Sequence, residues 1–375
     1  MQSPNPKPNR PPAPRPKNQM ILGCFVIPLI ITTLILGAFF FVRSNASSQL
    51  TVPQNDVLLV RSAPDPLAPL LARYGEGHTL EIVGRSEDWR WLEVELWADQ
   101  RGWALRPLDI LPWRLDAPTT TPVPGGASPT PIAPVAETMM PIAATTFTMG
   151  SPPGLGKDDE RPAHAVSLSP FEIDRTEVTV GQYWQCVEAG ACSAAPSDAS
   201  QTEPHYLNDP AFDNHPVINV PWAEANRYCS WRGKRLPTEA EWEMAAGWDA
   251  ERGAKLQWPW GNDPAQGQAN LAENSAGDAA IVGTFPEDES PAAVLDMGGN
   301  VSEWVFDWYK VDYYSTADDT DPVGPTHRRG EGSGRVVRGG AFSDALDQAR
   351  TTHRGHQEPV YGYLTVGFRC ARDLD

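Results

Sequence analysis

The segment Trp231-Arg232-Gly233-Lys234-Arg235-Leu236-Pro237-Thr238-Glu239-Ala240-Glu241-Trp242-Glu243 opens a helix. Thr238 followed three residues later by Glu241 is a capping box, in which each side chain satisfies a backbone N–H that the first helical turn leaves free. The alanines and glutamates that follow are good helix formers, and Trp242 and Ala245 fall on one face. A second capping box, Thr179 to Gln182, opens another helix. It carries Tyr183, Trp184, Cys186 and Val187 inward and ends near Gly190. Around these helices lie long stretches rich in Gly, Asn and Pro, with few long regular elements. A domain of that kind is held by loops, tryptophans and ions.

The whole chain has 375 residues, 38 of them Pro and 14 Trp, so loop and linker must be extensive. The hydrophobic fraction of 41% excludes a wholly disordered chain, and a net charge of −18 argues against nucleic acid as a partner. Charge is unevenly placed. Residues 1–43 hold Lys7, Arg10, Arg15, Lys17, Arg43 and no acid, which leaves −23 on the rest. Met20–Val42 is an uncharged, mostly apolar run about 34 Å long as a helix, enough to cross a bilayer. The basic residues before it predict a single-pass cell-membrane protein. Its Pro-rich tail, 1–19, is then cytoplasmic and disordered, residues 20–42 span the membrane, and all that follows is extracytoplasmic. A cleaved signal peptide is the alternative, although its apolar region is normally only about 7–15 residues. Most of the apolar run follows Cys24, whereas a lipoprotein signal places its apolar stretch before the cysteine.

Residues 115–136 are mostly Pro, Thr, Ala, Gly and Ser and form a semi-extended linker between two folded regions, 48–114 and 137–375. The first region shows short apolar or alternating runs at 57–61, 79–83 and 91–96 separated by turn residues, the pattern of a small all-β barrel. The Val60-Arg61-Ser62 opening, the Gly75-Glu76-Gly77 turn and Gly102-Trp103 resemble the bacterial SH3-like domain. That resemblance implies binding of cell-wall peptide or other proteins. Trp89, Trp91, Trp97 and Trp103 could line an aromatic groove, with Trp103 the one assigned to the core.

In 137–375 a series of blocks runs in order. They are Phe147-Thr148-Met149-Gly150-Ser151, Phe171 to Thr179, His215 to Trp222, the KRLPTEAEWE helix start, Trp258-Pro259-Trp260-Gly261-Asn262, Met297 to Trp304, Arg335 to Phe342 and Gly367-Phe368-Arg369-Cys370. Together they resemble the formylglycine-generating enzyme, or sulfatase-modifying factor, family. The resemblance implies an α+β, C-type-lectin-like fold with much irregular structure. It also implies structural calcium, a hard cation that takes oxygen ligands. One site maps to Asp296, Gly299, Val301 and Glu303, and a second to Asn270, Leu271, Asp278 and Ala280. Ordinary turn capping by Asn and Asp is the competing reading. The family pairs the cysteines matching Cys229 and Cys370, and a local Cys186–Cys192 bridge joins the end of a helix to the next turn. Asp158, Asp159, Glu160 and His164 read as a solvated loop with a buried histidine.

Active members of the family oxidise a substrate cysteine with oxygen and hold copper(I) on two of their own cysteines, shortly after the Arg-Gly-Gly block. Those positions are Asp344 and Ala349 here, so no catalytic residue is assigned and copper is not expected. His353 and His356, with Asp344 and Asp347 nearby, are a weak alternative metal set. The expectation is a binding module with a cell-wall, glycan or protein ligand. The alternatives are a sulfatase-modifying or related oxidase with a rebuilt site, and a purely structural protein.

Overall fold

The computed structural model describes residues 49–374, apart from 53–56, 66–67, 76, 87–89, 98–99, 106–134, 265–266 and 326–333. By its contacts the chain divides into two compact units, 1–46 and 47–375, and the described residues all belong to the second.

The N-terminal part is a six-stranded antiparallel sheet. Its strands are β1 (Gln49–Thr51), β2 (Leu58–Arg61), β3 (Leu70–Tyr74), β4 (Thr79–Arg85), β5 (Trp91–Glu95) and β6 (Arg101–Leu105), in the order β1-β4-β5-β6-β2-β3. Alternation places Leu58, Val60, Leu80, Ile82, Leu92 and Val94 in one core. Trp103 is buried, as assigned, and Trp91 is buried too. Trp97 stacks on His205, with ring centroids 4.4 Å apart. Trp89 lies outside the described residues, and the other three do not form an open groove.

The remainder is irregular, with short sheets. A three-stranded sheet orders β17 (Ala371–Asp373), β10 (Phe171–Asp174) and β7 (Met139–Ile142). A hairpin joins β8 (Thr145–Met149) to β9 (His164–Leu168), and a smaller one pairs β11 (Trp248–Asp249) with β12 (Ala254–Lys255). A four-stranded sheet orders β15 (Gly355–Gln357), β14 (Arg335–Arg338), β13 (Ser302–Trp308) and β16 (Val366–Phe368), with β13 and β16 parallel. The helices are α1 (Val180–Glu188), α2 (Trp222–Trp231) and α3 (Glu239–Gly247).

Both capping boxes form. Thr179 accepts from Gln182 N and Thr238 from Glu241 N, while Gln182 and Glu241 accept from the two cap N–H groups. The one-faced character expected of α3 is not observed, because every residue from Glu239 to Gly247 is buried. Its three glutamates survive burial through pairing. Arg354 and Arg338 bind Glu239, Arg338 and Lys255 bind Glu243, and Arg235 binds Glu241. Both expected disulfides are present, Cys229–Cys370 between α2 and the C-terminal strands and Cys186–Cys192 at the end of α1.

The membrane-spanning part of the expected architecture is corrected. The run at 20–42 lies outside the described residues, and among the described residues no helix is long and apolar enough to cross a membrane. The described fold is α+β with no spanning element, and the single-pass placement with extracytoplasmic domains is withdrawn.

Candidate functional site

The Met297–Trp304 block runs from a tight loop into β13. Asp296 and Asn300 have positive φ values of 59° and 70°, which are uncommon for non-glycine residues and mark a backbone fixed by its surroundings. This loop packs on the 269–280 loop. At Gly299 an added Cβ would lie 2.8 Å from Asn270 O, so only glycine allows the approach. Asn300 joins the two loops. Its N–H donates to Asn270 O at 2.9 Å, and its Oδ1 accepts from Ala280 N at 2.8 Å and from Asn270 Nδ2 at 3.1 Å.

The two mapped calcium sets are therefore brought together, but their carboxylates differ. Asp278 is satisfied by protein donors: Oδ2 accepts from Ser200 Oγ, Thr202 N and Thr202 Oγ1, and Oδ1 from Ala279 N. Asn270 Nδ2 donates to Asp278 O, and Leu271 is buried in an apolar cluster. Glu303 is held by Arg369, through Nε at 2.7 Å and Nη2 at 2.6 Å, and by Trp242 Nε1 at 2.9 Å. Asp296 accepts from Gly283 N at 2.6 Å. Against it lies Glu177, a residue the sequence did not single out. Burial, with Asp296 beside it, raises the Glu177 carboxyl well above its usual range. Burial raises Asp296 and Asp288 as well. Glu177 Oε2 is buried and has no hydrogen-bond partner. An orphaned carboxylate oxygen in a loop cluster of hard donors fits a cation such as calcium. Among the described residues no three His, Cys, Asp or Glu side chains gather into a metal-holding group, so any ion would also need neutral oxygens.

The segment after the Arg-Gly-Gly block alternates between exposed residues, such as Ala345 and Asp347, and the buried Ala349. Asp344 Oδ2 accepts from Ala341 N at 3.0 Å, and burial raises its carboxyl. Ala349 is fully buried with Trp258, Ala269 and Leu271. Thiolates suit copper(I) because both are soft, whereas a carboxylate and a methyl group do not supply that donor set. The four described cysteines are all in disulfides. His353 and His356 do not converge with the two aspartates. His353 Nε2 lies 3.0 Å from Lys157 Nζ, and burial with Lys157 nearby lowers the imidazole to about 4. His356 stacks on Tyr309 at 4.1 Å, and Asp347 pairs with Arg350. In the 158–164 loop, Glu160 is buried on Arg350 and Asp159 accepts from Tyr309 OH, so the loop is pinned rather than solvated.

A family model, the sulfatase-modifying factor enzyme 1-like domain, matches residues 127–374, about two thirds of the chain. The chain belongs to this family. The sulfatase-modifying factor domain is 31% identical over 284 residues to the formylglycine-generating enzyme of Streptomyces coelicolor, covering 61% of this chain and 87% of that one. It is 35% identical over 257 residues to the serine/threonine-protein kinase pkn1 of Chlamydia pneumoniae, covering 64% of this chain. The match spans only 39% of that kinase's length. Among solved structures, PvdO from Pseudomonas aeruginosa superposes with a TM-score of 0.52 at 26% identity, covering 65% of this chain and all of PvdO.

A cleft of about 660 Å³ opens beside the sulfatase-modifying factor domain's Trp248 and Trp260, with Met244, Pro259, Glu251 and Ala292 also on its walls. Trp260 stacks nearly parallel to Trp258, at 6.3 Å and 9°, and rests on Gly298, where a Cβ would meet its ring at 2.6 Å. No sequence signal marked this cleft, because its walls come from segments far apart in the chain.

Proposed function

We propose that this chain uses the sulfatase-modifying factor fold to bind a ligand and not to oxidise a thiol. The supporting observation is the pair of positions 344 and 349, where a turn-capping carboxylate and a buried methyl group stand in place of two soft donors. The ligand surface is the tryptophan-walled cleft, suited to a glycan or an extended peptide that stacks a flat apolar face on an indole. The sheet of residues 49–105 is read as an SH3-like module that adds a second contact surface, joined by the 115–136 linker. Calcium at the 296–303 loop is read as structural.

The test pairs two assays. Incubating the purified protein with a CxPxR-type sulfatase peptide, copper and oxygen should give no formylglycine by mass spectrometry. A glycan and peptide array should give a hit that Trp260→Ala weakens. Formylglycine production would overturn the binding reading in favour of an oxidase with a rebuilt site.

A further inference from the structure

We infer that Arg335, held between the indoles of Trp222 and Trp308, anchors a further binding surface, one that takes a carboxylate from an acidic peptide segment of a partner protein. This surface shares no residue with the walls of the cleft at Trp248 and Trp260. Along β13, Phe306 is exposed, Asp307 buried and Trp308 half-buried, so the two aromatics lie on the outer face. Trp308 pairs in register with Arg335 on β14. Trp222, at the start of α2, leans on Phe306 with ring centroids 6.0 Å apart, and its Nε1 donates to Val305 O at 2.8 Å, which fixes the indole. The guanidinium carbon of Arg335 lies 3.7 Å from the Trp222 ring centroid and 4.0 Å from that of Trp308.

The charge of Arg335 is not cancelled within the fold. Arg338, at the other end of β14, is held by Glu239 and Glu243, Arg350 by Glu160 and Arg369 by Glu303. Arg335 has no carboxylate within ion-pair distance among the described residues: Nη1 donates to Phe306 O, and Nε is buried with no hydrogen-bond partner. Burial lowers the guanidinium to about 10, and Asp307 only opposes that shift. Stacking occupies the two faces of the guanidinium and leaves its edge N–H groups for an acceptor lying in the same plane. A carboxylate meets such an edge with two parallel N–H···O bonds. Tryptophan and arginine are the side chains over-represented where protein partners are held, and Phe306, 37% exposed, offers an apolar contact beside the charge. The complementary ligand is an acidic residue with an apolar neighbour.

The test selects phage-displayed random peptides on the full chain and measures the enriched peptides by fluorescence polarisation. Peptides with Asp or Glu beside an apolar residue should be enriched, and changing that acid to its amide should weaken binding at least about tenfold. This comparison is made on wild-type protein, so it does not depend on how any variant folds. Arg335→Gln, which removes the charge and keeps a planar polar head, should weaken the same peptide by at least about tenfold. Phe306→Ala should weaken it too, and Trp260→Ala should leave it unchanged. The absence of acidic peptides from the selection, or acidic peptides that bind Arg335→Gln as tightly as wild type, would overturn the inference. Binding lost in Trp260→Ala and kept in Arg335→Gln would place the peptide in the tryptophan-walled cleft instead. Hits on an acidic-glycan array that disappear in Arg335→Gln, with no peptide selected, would overturn the peptide assignment in favour of a sugar carboxylate.

Discussion

Asp344 accepts a hydrogen bond from the backbone N–H of Ala341 at 3.0 Å, so the residue at the family's first thiol position is a turn cap. Removing it in Asp344→Ala should cost about 1 kcal/mol, measured by urea unfolding. The same geometry makes a gain-of-binding prediction. Wild type should not retain copper(I) against a competing chelator, whereas Asp344→Cys with Ala349→Cys should, because two soft donors then stand at both family positions. Stoichiometric copper(I) on wild type would count against the binding reading.

The buried ion network under α3 sets acid stability. Burial alone would raise Glu243, but Lys255 and Arg338 hold it down to about 2. Glu160 is likewise brought to about 2 against its burial by Arg350 and Ser151. Their folded-state values lie below the ordinary 4.5, so their contribution is present above 4.5 and is lost as pH falls towards 2. Unfolding free energy should therefore drop across that window, and Glu243→Gln should flatten the drop. Arg338→Met should be severe at neutral pH, about 3–5 kcal/mol, because it leaves Glu239 and Glu243 buried and underpaired.

Asp307 carries the opposite sign. It is 2% exposed, its carboxylate accepts from Glu239 N at 2.8 Å, and burial, with Glu239 nearby, raises it from 3.8 to about 8. A raised carboxyl stabilises fully below its unfolded value, and the contribution is lost as pH rises through the folded value. Between pH 4 and 8 wild type should lose up to about 1.4 kcal/mol per pH unit from this group. Asp307→Asn keeps an oxygen acceptor for Glu239 N and should remove that slope, leaving the variant more stable than wild type at pH 7. Parallel stability–pH curves for the two proteins would sink the idea.

The family and the local helix starts were legible because they depend on neighbouring residues. Thr179 with Gln182 and Thr238 with Glu241 are three apart, and their caps form as read. What the sequence hid is tertiary. Glu239 and Glu243 look like the solvent side of a helix until Arg338 and Arg354, about 100 residues later, arrive to pair them. Glu177 drew no attention because its significance comes from Asp296, 119 positions away. Glu303 reads from the sequence as a loop carboxylate, and its partner Arg369 lies 66 residues downstream. Motif reading finds the loops but does not assign charges to partners.

Arg73 on β3 gives the last prediction. It is only 3% exposed and pairs with Asp213, which follows the linker in sequence. Its guanidinium lies 5.5 Å over the Trp184 ring, and its N–H donates to Asn208 O at 3.2 Å. Gly75 sits where a Cβ would meet the Ala194 side chain at 2.3 Å, and Trp97 stacks on His205 nearby. An arginine so placed joins the sheet of 49–105 to the α1 face. Arg73→Ala leaves Asp213 part-buried without its cation and removes the cation–π contact. It should raise hydrogen exchange in 70–75 and 205–213 together, while the core around Trp242 exchanges as in wild type. Asp213→Asn should reproduce the effect in weaker form, since the amide still accepts one hydrogen bond. Unchanged exchange in both segments would show that the sheet is held by apolar contact alone.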